Sequence, residues 1–195
     1  MKKSLLVLSV LLAMGAGAVQ ADTLKKMKDS GAISLGVRES SGLSFTLGNG
    51  KFVGFHTEMA ERVIADLQKQ LGLAKLEIKY QPVTSQNRIP LVQNGTVDLE
   101  CGSTTNNATR QKDVSFAMTT YVEEVRIAAK ANSGITSISQ LNGKKVATTT
   151  GTTSVQHLRK HERANGVNFE EVFGKDHADS FLLLESGRAD AFVMD

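Results

Sequence analysis

The chain has 195 residues, of which 41% are hydrophobic and 22% are charged, and its formal net charge at pH 7 is +3. Its basic residues are interspersed with acidic ones, and two Tyr and no Trp leave few rings to stack on bases, which argues against a nucleic-acid-binding protein. The single cysteine, Cys101, excludes a disulfide within this sequence and leaves no cysteine pair for a zinc site.

The first 21 residues have the pattern of a secretory signal peptide. Lys2 and Lys3 form a basic start, an apolar run follows at 4–14, and the segment 19–21 ends in a small residue suited to cleavage. The run is too short for a transmembrane helix, and no cysteine follows the cleavage position to carry a lipid anchor. We therefore expect an exported mature chain that begins at Asp22.

Helices and strands are predicted to alternate between residues 23 and 80. Gly48-Asn49-Gly50 is a strong turn signal, so its two flanking segments are expected to pair as a hairpin. Apolar residues recur at helical spacing from Met59 to Leu71, which predicts an amphipathic helix that covers a sheet. The predicted elements are a helix at 23–30, a strand at 32–37, a strand at 52–55, a helix at 57–71 and a strand at 76–80.

The segment 84–107, TSQNRIPLVQNGTVDLECGSTTNN, carries the strongest chemical signal. Thr84 or Ser85 is a suitable N-cap for a short helix that Asn94-Gly95 closes, and a strand is predicted at 97–100. The hydroxyl residues at 103–105 then lie at the end of that strand. Ligands bind at such strand ends in open α/β sheets, although these hydroxyl groups could instead cap the next helix.

Arginines accompany this hydroxyl cluster. Arg88 lies within the segment and Arg110 follows it, and each guanidinium offers a planar fork of donors that matches a carboxylate. Small hydroxyl and glycine residues leave room for backbone N–H groups to approach an anion. The pattern predicts a small acidic ligand. The alternative is that Arg38 and Arg88 are surface ion-pair partners of Glu39 or another acid.

A second α/β series is predicted after the extended segment 125–130, which is a candidate crossing between domains. The sequence stops at Asp195, in a strand or directly after it. A compact domain rarely ends there, so we expect a fragment. The predicted elements are a helix at 138–141, a strand at 145–148, a helix at 152–164, a strand at 168–172, a helix at 176–186 and a strand at 190–194.

Four stretches, in order along the chain, resemble the family-three solute-binding proteins of bacterial amino-acid ABC transporters, and among them the glutamate/aspartate-binding proteins. They are RESS at 38–41, the segment 84–107, GTTS at 151–154 and KDHADSFLLLESGRADAFVMD at 175–195. The resemblance implies an α/β, two-lobe periplasmic binding protein type II fold, here as a C-terminally truncated fragment. Lobe one would span 22–124 without its C-terminal return segment, and an incomplete lobe two would span 125–195.

The resemblance also implies a ligand site of nine residues, which we call the candidate site. Three fixed positive charges and one negative charge of the protein would then complement the two carboxylates and the ammonium of an acidic amino acid. The α-carboxylate would be held by Arg110 with Ser103, Thr105 and Thr153, and the α-ammonium by Asp195. The side-chain carboxylate would be held by Arg38, Ser85, Arg88 and His177.

The implied function is capture of L-glutamate or L-aspartate between two closing lobes in the periplasm and delivery to the membrane permease of an ABC transporter. The expected partners are thus a small acidic amino acid and that permease. No cofactor, metal ion, covalent step or nucleic acid is implied, and a monomer is expected.

Three other functions remain open. An enzyme on the same fold, similar to prephenate or arogenate dehydratases, would need a general acid or base. His157 and His161 have the i, i+4 spacing of zinc ligands, although no third ligand is evident. A ligand sensor for a membrane receptor would need the same lobe closure as a transport protein. The candidate acids and bases are Glu58, Glu100 and His177.

Overall fold

The computed structural model describes residues 22–195. The predicted signal peptide at 1–21 lies outside the described residues. Within 22–195, no helix combines the length and the apolar character that spanning a bilayer requires.

The described residues alternate helices and strands in the expected order. The helices are α1 (Thr23–Ser30), α2 (Phe55–Gln70), α3 (Arg88–Gln93), α4 (Thr153–Asn165) and α5 (His177–Glu185), with 3-10 turns at Arg110–Lys112, Ala131–Ser133 and Ile138–Leu141. The strands are β1 (Ala32–Val37), β2 (Ser40–Ser41), β3 (Ser44–Gly48), β4 (Lys51–Val53), β5 (Glu77–Pro82), β6 (Leu99–Glu100), β7 (Arg126–Ala129), β8 (Lys145–Thr149), β9 (Glu170–Gly174) and β10 (Ala191–Met194).

The first sheet is parallel and has the strand order β5-β1-β6. Its central strand, β1, has the sequence AISLGV, and such a nearly continuous apolar run is typical of a parallel strand that is covered on both faces. Helix α2 buries Ala60 and Ile64 against this sheet, and full burial of one side chain such as Ile64 stabilises the fold by about 1.5–3 kcal/mol. The buried core consists of Met27, Ile33, Leu35, Val37, Ala60, Ile64 and Leu76.

The second sheet has the order β7-β10-β8-β9 and a core of its own. Strand β10 runs parallel to β8 and antiparallel to β7, and its residues alternate between the two faces. Ala191 and Val193 face the cluster that contains Leu158 of α4, whereas Phe192 faces Leu184 of α5. The sheet therefore lies between two helices, as the alternating pattern of the sequence predicts.

Strands β2, β3 and β4 form a small antiparallel sheet beside the first one. Gly48 ends β3, and Asn49 and Gly50 form the turn to β4; all three have positive φ angles, of 82°, 52° and 72°. The predicted hairpin is confirmed. Glycine and asparagine are the residues that tolerate this backbone region, which explains why the turn could be located from the sequence.

Predicted helix and strand boundaries agree with the structure to within two residues, and three details differ. The N-cap position of α3 is Asn87 rather than Thr84 or Ser85. Thr84 and Asn87 instead exchange hydrogen bonds in the turn before the helix, with N to Oδ1 and N to Oγ1 distances of 2.8 and 3.3 Å. The hydroxyl of Ser85 points elsewhere, toward the candidate site.

The strand predicted at 97–100 is shorter in the structure, where β6 has only two residues. The segment 125–130, predicted as a crossing between domains, contains strand β7. Strand β6 is short because the Asp98 carboxylate accepts the backbone N–H of Ser34 at 2.9 Å, which replaces a backbone acceptor in the ladder. The antiparallel pairing of β7 with β10 makes β7 an edge strand of the second sheet. The division into lobes at residue 124 stays a prediction.

Candidate functional site

Most candidate-site residues follow the carboxyl ends of parallel strands. Arg38 comes directly after β1, and Ser103 and Thr105 come shortly after β6. Ser85 follows β5, whereas Thr153 and His177 begin the helices after β8 and β9. Because the ends of parallel strands meet at one edge of a sheet, the fold brings residues that are far apart in sequence to a common region.

Arg38 lies at the base of the site with its side chain 0% exposed. It donates from Nη2 to the Ser85 hydroxyl at 2.9 Å and from Nη1 to the Ser103 hydroxyl at 3.3 Å. Its ion pair is with Asp176, at the N-cap position of α5. Arg38 does pair with an acid other than Glu39, as the ion-pair alternative allows, but its side chain is buried rather than at the surface.

Asp176 is the main residue that sequence reasoning missed. One carboxylate oxygen, Oδ1, accepts the Ser85 hydroxyl at 2.9 Å and the Ser85 backbone N–H at 3.3 Å, in addition to Arg38. The helix predicted at 176–186 begins at Asp176, where an aspartate ordinarily caps. Its side chain makes no capping hydrogen bond to α5. The contact with Arg38 spans 138 positions, and no local signal could have revealed it.

Arg88 is the second buried guanidinium, at 2% exposure. It donates from Nη1 to the Ser103 hydroxyl at 3.3 Å, and its Nε has no hydrogen-bond partner among the described residues. Burial lowers the pKa of Arg88 to about 10, with Arg38 and Arg110 adding to the lowering while Glu100 and Asp195 oppose it. The group stays charged at pH 7, in surroundings that leave part of its hydrogen-bonding capacity unused.

Arg110 contacts backbone segments that belong to the first and to the second sheet. It is 8% exposed and donates to the backbone oxygens of Thr105 at 2.9 Å and Gly151 at 2.8 Å. Burial lowers its pKa, and the nearby acids Asp195 and Glu100 oppose that effect. Thr105 precedes the 3-10 turn of Arg110, whereas Gly151 follows β8, so this guanidinium joins segments of the first and the second sheet.

Thr105, Thr153 and Asp195 meet beside Arg110. The Thr105 and Thr153 hydroxyls share a hydrogen bond of 3.3 Å, and Thr105 donates to the Asp195 carboxylate at 3.4 Å. Thr153 is the first residue of α4, where unpaired backbone N–H groups and the helix dipole favour an anion. A position that favours an anion and an acidic side chain thus lie next to each other, which would suit the carboxylate and the ammonium at the α-carbon of an amino acid.

His177 is only 6% exposed and connects the Ser85 region with the second sheet. Its Nδ1 is 3.2 Å from the Thr149 hydroxyl, and its Nε2 is 3.5 Å from the Ser85 hydroxyl. Burial lowers the pKa of His177 to about 4, and the positive charges of Arg38 and Arg88 lower it further while Asp176 and Asp195 raise it. The imidazole is therefore neutral at pH 7 and would act there as a polar group rather than a cation.

Close approaches at two glycines shape the site. A Cβ on Gly151 would lie 2.5 Å from the Ser85 carbonyl oxygen, and a Cβ on Gly102 would lie 2.5 Å from Oε1 of Glu100. That Glu100 oxygen is buried without a hydrogen-bond partner among the described residues, while Oε2 accepts from Thr104 at 2.8 Å. Neither Glu100 nor Gly151 is among the predicted ligand residues, although Gly151 begins the GTTS stretch at 151–154.

The structure brings all nine candidate-site residues together in two adjoining groups. Of the residues named for other functions, His177 belongs to these groups and Glu100 lies beside them, whereas His157, His161 and Glu58 lie elsewhere. His157 and His161 line a separate cavity of about 510 Å³, and no group of three His, Cys, Asp or Glu side chains within 22–195 could hold a metal ion. Glu58 lines another cavity, next to Tyr80. The first group is Arg38, Ser85, Arg88, Ser103 and His177, and the second is Thr105, Arg110, Thr153 and Asp195.

Residues 33–182 match the family model of bacterial extracellular solute-binding proteins, family 3. The chain belongs to this family. It is 43% identical over 198 aligned residues to the L-glutamate/L-aspartate-binding protein of Pseudomonas aeruginosa, which covers 98% of this chain and 66% of the relative. It is 43% identical over 193 residues to the glutamate/aspartate import solute-binding protein of Escherichia coli, with coverages of 94% and 64%. The chain thus spans slightly less than two thirds of these relatives.

A solved structure of the same fold is that of AncCDT-1, an ancestral amino acid-binding protein described as a precursor of cyclohexadienyl dehydratase. Its TM-score with this family-3 chain is 0.76 at 27% identity, with coverage of 89% of this chain and 74% of that one. The expected fold class, α/β with the type II periplasmic binding protein architecture, is confirmed.

Proposed function

We propose that this chain binds L-glutamate and L-aspartate in the candidate site and serves as the periplasmic substrate-binding protein of an ABC transporter. The observation that carries the proposal is the burial of three arginines around a set of small hydroxyl groups at the strand ends. Buried charges are ordinarily paired, and among the ion pairs of the described residues Arg38 has a partner whereas Arg88 and Arg110 do not. Ligand carboxylates would supply those missing partners.

The proposed geometry assigns the α-carboxylate to Arg110 and the start of α4, and the α-ammonium to Asp195. Each hydrogen bond to a charged group contributes about 1.5–3 kcal/mol net, and closure of the site strengthens it by excluding water. Glutamine has the same α-carbon groups but no second carboxylate. It would leave a buried guanidinium such as that of Arg88 partly unpaired, so we expect strong discrimination against it.

Binding rather than catalysis is supported by the relatives at 43% identity, which are named as binding or import proteins. The same family membership supports the proposed delivery to a membrane permease. We further propose that the chain is exported as a monomer after cleavage behind Ala21. The mass of the exported protein would then correspond to a chain that begins at Asp22, and retention of the intact N-terminus would contradict this part.

The central test is a calorimetric titration of the purified chain with L-glutamate, L-aspartate and L-glutamine. We expect tight binding of the two acidic amino acids and binding of glutamine that is weaker by a factor on the order of 10⁴. The variant Arg110→Ala should lose binding of all three, because the α-carboxylate loses its guanidinium. Arg126→Ala is the matched control, since this arginine is exposed on β7.

Unchanged glutamate affinity in Arg110→Ala would contradict the site assignment. Equal affinity for glutamate and glutamine in the unmodified chain would contradict the proposed ligand class while leaving amino-acid binding intact. Turnover of a prephenate-like dicarboxylate by the purified chain would favour the enzymatic alternative instead.

A further inference from the structure

Asp176 lies directly before α5, and its side chain is oriented unusually for a residue at that position. Its side chain is 13% exposed and makes no capping hydrogen bond to α5. It is turned instead toward the first sheet, where Oδ1 accepts from the Arg38 guanidinium and from both the hydroxyl and the backbone N–H of Ser85. A single carboxylate of the second half of the chain thus holds two residues of the first half.

Arg38 needs such a partner whatever else the site contains. Its side chain is 0% exposed, and an isolated charge at that depth would be strongly unfavourable. The other polar contacts of its terminal nitrogens are with neutral hydroxyl groups, those of Ser85 and Ser103. Asp176 therefore supplies the compensating negative charge from within the fold.

Arg88 differs from Arg38 in this respect. It is almost as deeply buried, yet it takes part in none of the ion pairs found among residues 22–195, and its Nε has no hydrogen-bond partner there. The Ser103 hydroxyl is the acceptor at its Nη1. The Nε of Arg38 also lacks a hydrogen-bond partner among residues 22–195. Of the two guanidinium groups expected near the second carboxylate of an acidic ligand, Arg88 is therefore distinguished by having no ion pair and a single acceptor at its terminal nitrogens within these residues.

We propose that Asp176 is a positioning residue of this site: it is the built-in counterion of Arg38 and the fixed acceptor of Ser85, and it leaves Arg88 to bind the second carboxylate of the ligand. This inference rests on the proposed function and refines it. Arg38 and Ser85 then set the shape of the site, whereas the preference for acidic over amide ligands depends on Arg88.

The first experiment compares Asp176→Asn with Asp179→Asn and Asp176→Glu by calorimetric titration with L-glutamate. Asp179 lies in the first turn of the same helix, is exposed, and serves as the matched control. We expect Asp176→Asn to lower glutamate affinity at least about tenfold because Arg38 and Ser85 lose their common acceptor. Asp179→Asn should stay within about twofold of the unmodified chain, and Asp176→Glu should recover part of the loss. Unchanged or tighter binding by Asp176→Asn would overturn the proposal, since tighter binding would mean that Asp176 competes with the ligand for Arg38.

The second experiment separates the roles of the two arginines. In the double variant Arg38→Gln/Asp176→Asn the ion pair is removed as a unit, and we expect a weaker site that still prefers glutamate to glutamine by at least about tenfold. Arg88→Gln should bind the two ligands with similar affinity. Loss of the preference in the double variant, or its retention in Arg88→Gln, would overturn the assignment.

Urea unfolding of the same variants shows whether a result reflects the site or the fold. Each single variant, Arg38→Gln or Asp176→Asn, should be less stable than the double variant, because each leaves one buried charge without its partner. Additive losses would contradict the counterion role. If the unmodified chain binds neither amino acid, the proposed function fails, and this unfolding cycle still decides whether Asp176 is the counterion of Arg38.

Discussion

Buried charge is the dominant feature of this protein at the scale of single residues. The three site arginines are at most 8% exposed, and the acids Glu100, Asp176 and Asp195 lie near them. Two acids besides the predicted Asp195, namely Glu100 and Asp176, thus accompany the three predicted positive charges. Oxygen acceptors and nearby acids orient each guanidinium, which keeps its geometry defined for a planar ligand group.

His177 leads to a prediction about pH. Its pKa of about 4 in the folded protein is below the ordinary value of 6.5, so the unfolded chain binds more protons between these values. The stability that neutral His177 contributes is fully present above pH 6.5 and is lost as the pH falls toward 4. We expect acidification from pH 7.5 to 5 to cost the unmodified chain on the order of 1–2 kcal/mol more than the variant His177→Gln.

Urea unfolding at both pH values measures this difference. The groups that face the ring are the Thr149 and Ser85 hydroxyls and the charges of Arg38, Arg88, Asp176 and Asp195, and they are common to both proteins. The comparison therefore isolates the contribution of the imidazole. Equal losses of stability in the two proteins would show that His177 does not titrate in this range.

At the scale of secondary structure, the short connections after the strands determine the site. The turn between β8 and α4 has Gly151 at φ 80°, and its backbone approaches the Ser85 carbonyl so closely that a Cβ would lie 2.5 Å away. The same turn offers the Gly151 carbonyl to Arg110. A residue without a side chain is required here for two reasons, the backbone conformation and the contact between the two halves of the site.

A pair of glycine variants separates those two reasons. Gly151→Ala should weaken glutamate binding at least about tenfold, because the new methyl group pushes Ser85 away in addition to straining the backbone. Gly143→Ala is the control, since Gly143 has a similar φ of 72° but no atom within 4 Å of the position that a methyl group would take there. It should lose about 1–2 kcal/mol of stability and keep its glutamate affinity. Equal affinities in the two variants would indicate that the approach of Gly151 to Ser85 is unimportant for binding.

At the scale of the whole molecule, the two larger sheets have separate hydrophobic cores. Several of the contacts that join them are polar and lie in the candidate site, such as those from Arg38 to Asp176, from Arg110 to Gly151 and between Thr105 and Thr153. Separate cores joined at a polar site are suited to movement as rigid units around a ligand. Ligand carboxylates that bridge the same groups would favour the closed arrangement over an open one.

Small-angle X-ray scattering tests this closure. We expect saturating L-glutamate to reduce the radius of gyration of the purified chain, while L-glutamine at the same concentration leaves it unchanged. Arg110→Ala should show no reduction with either ligand, because it lacks the guanidinium that joins the two halves. Compaction of that variant by glutamate would mean that closure does not depend on Arg110.

Much of the fold could be predicted because its signals are local. The alternation of AISLGV-type strands with amphipathic helices and the turn at Gly48-Asn49-Gly50 depend on side chains a few positions apart, so boundaries were accurate to about two residues. The shortness of β6 could not be predicted in this way. It depends on a hydrogen bond from Ser34 to Asp98, 64 positions away in the sequence.

The sequence by itself determined which residue types are available for the site, through the arginines and hydroxyls around 84–110 and the resemblance they carry. Only the tertiary structure decided how these residues pair. Asp176 meets Arg38 across 138 positions, and Arg110 meets Gly151 across 41, because strand ends of different sheets converge there. Such pairings depend on how sheets and helices pack in space, and burial then makes them strong and shifts the pKa of His177 and Arg88, so neither effect can be derived from local sequence.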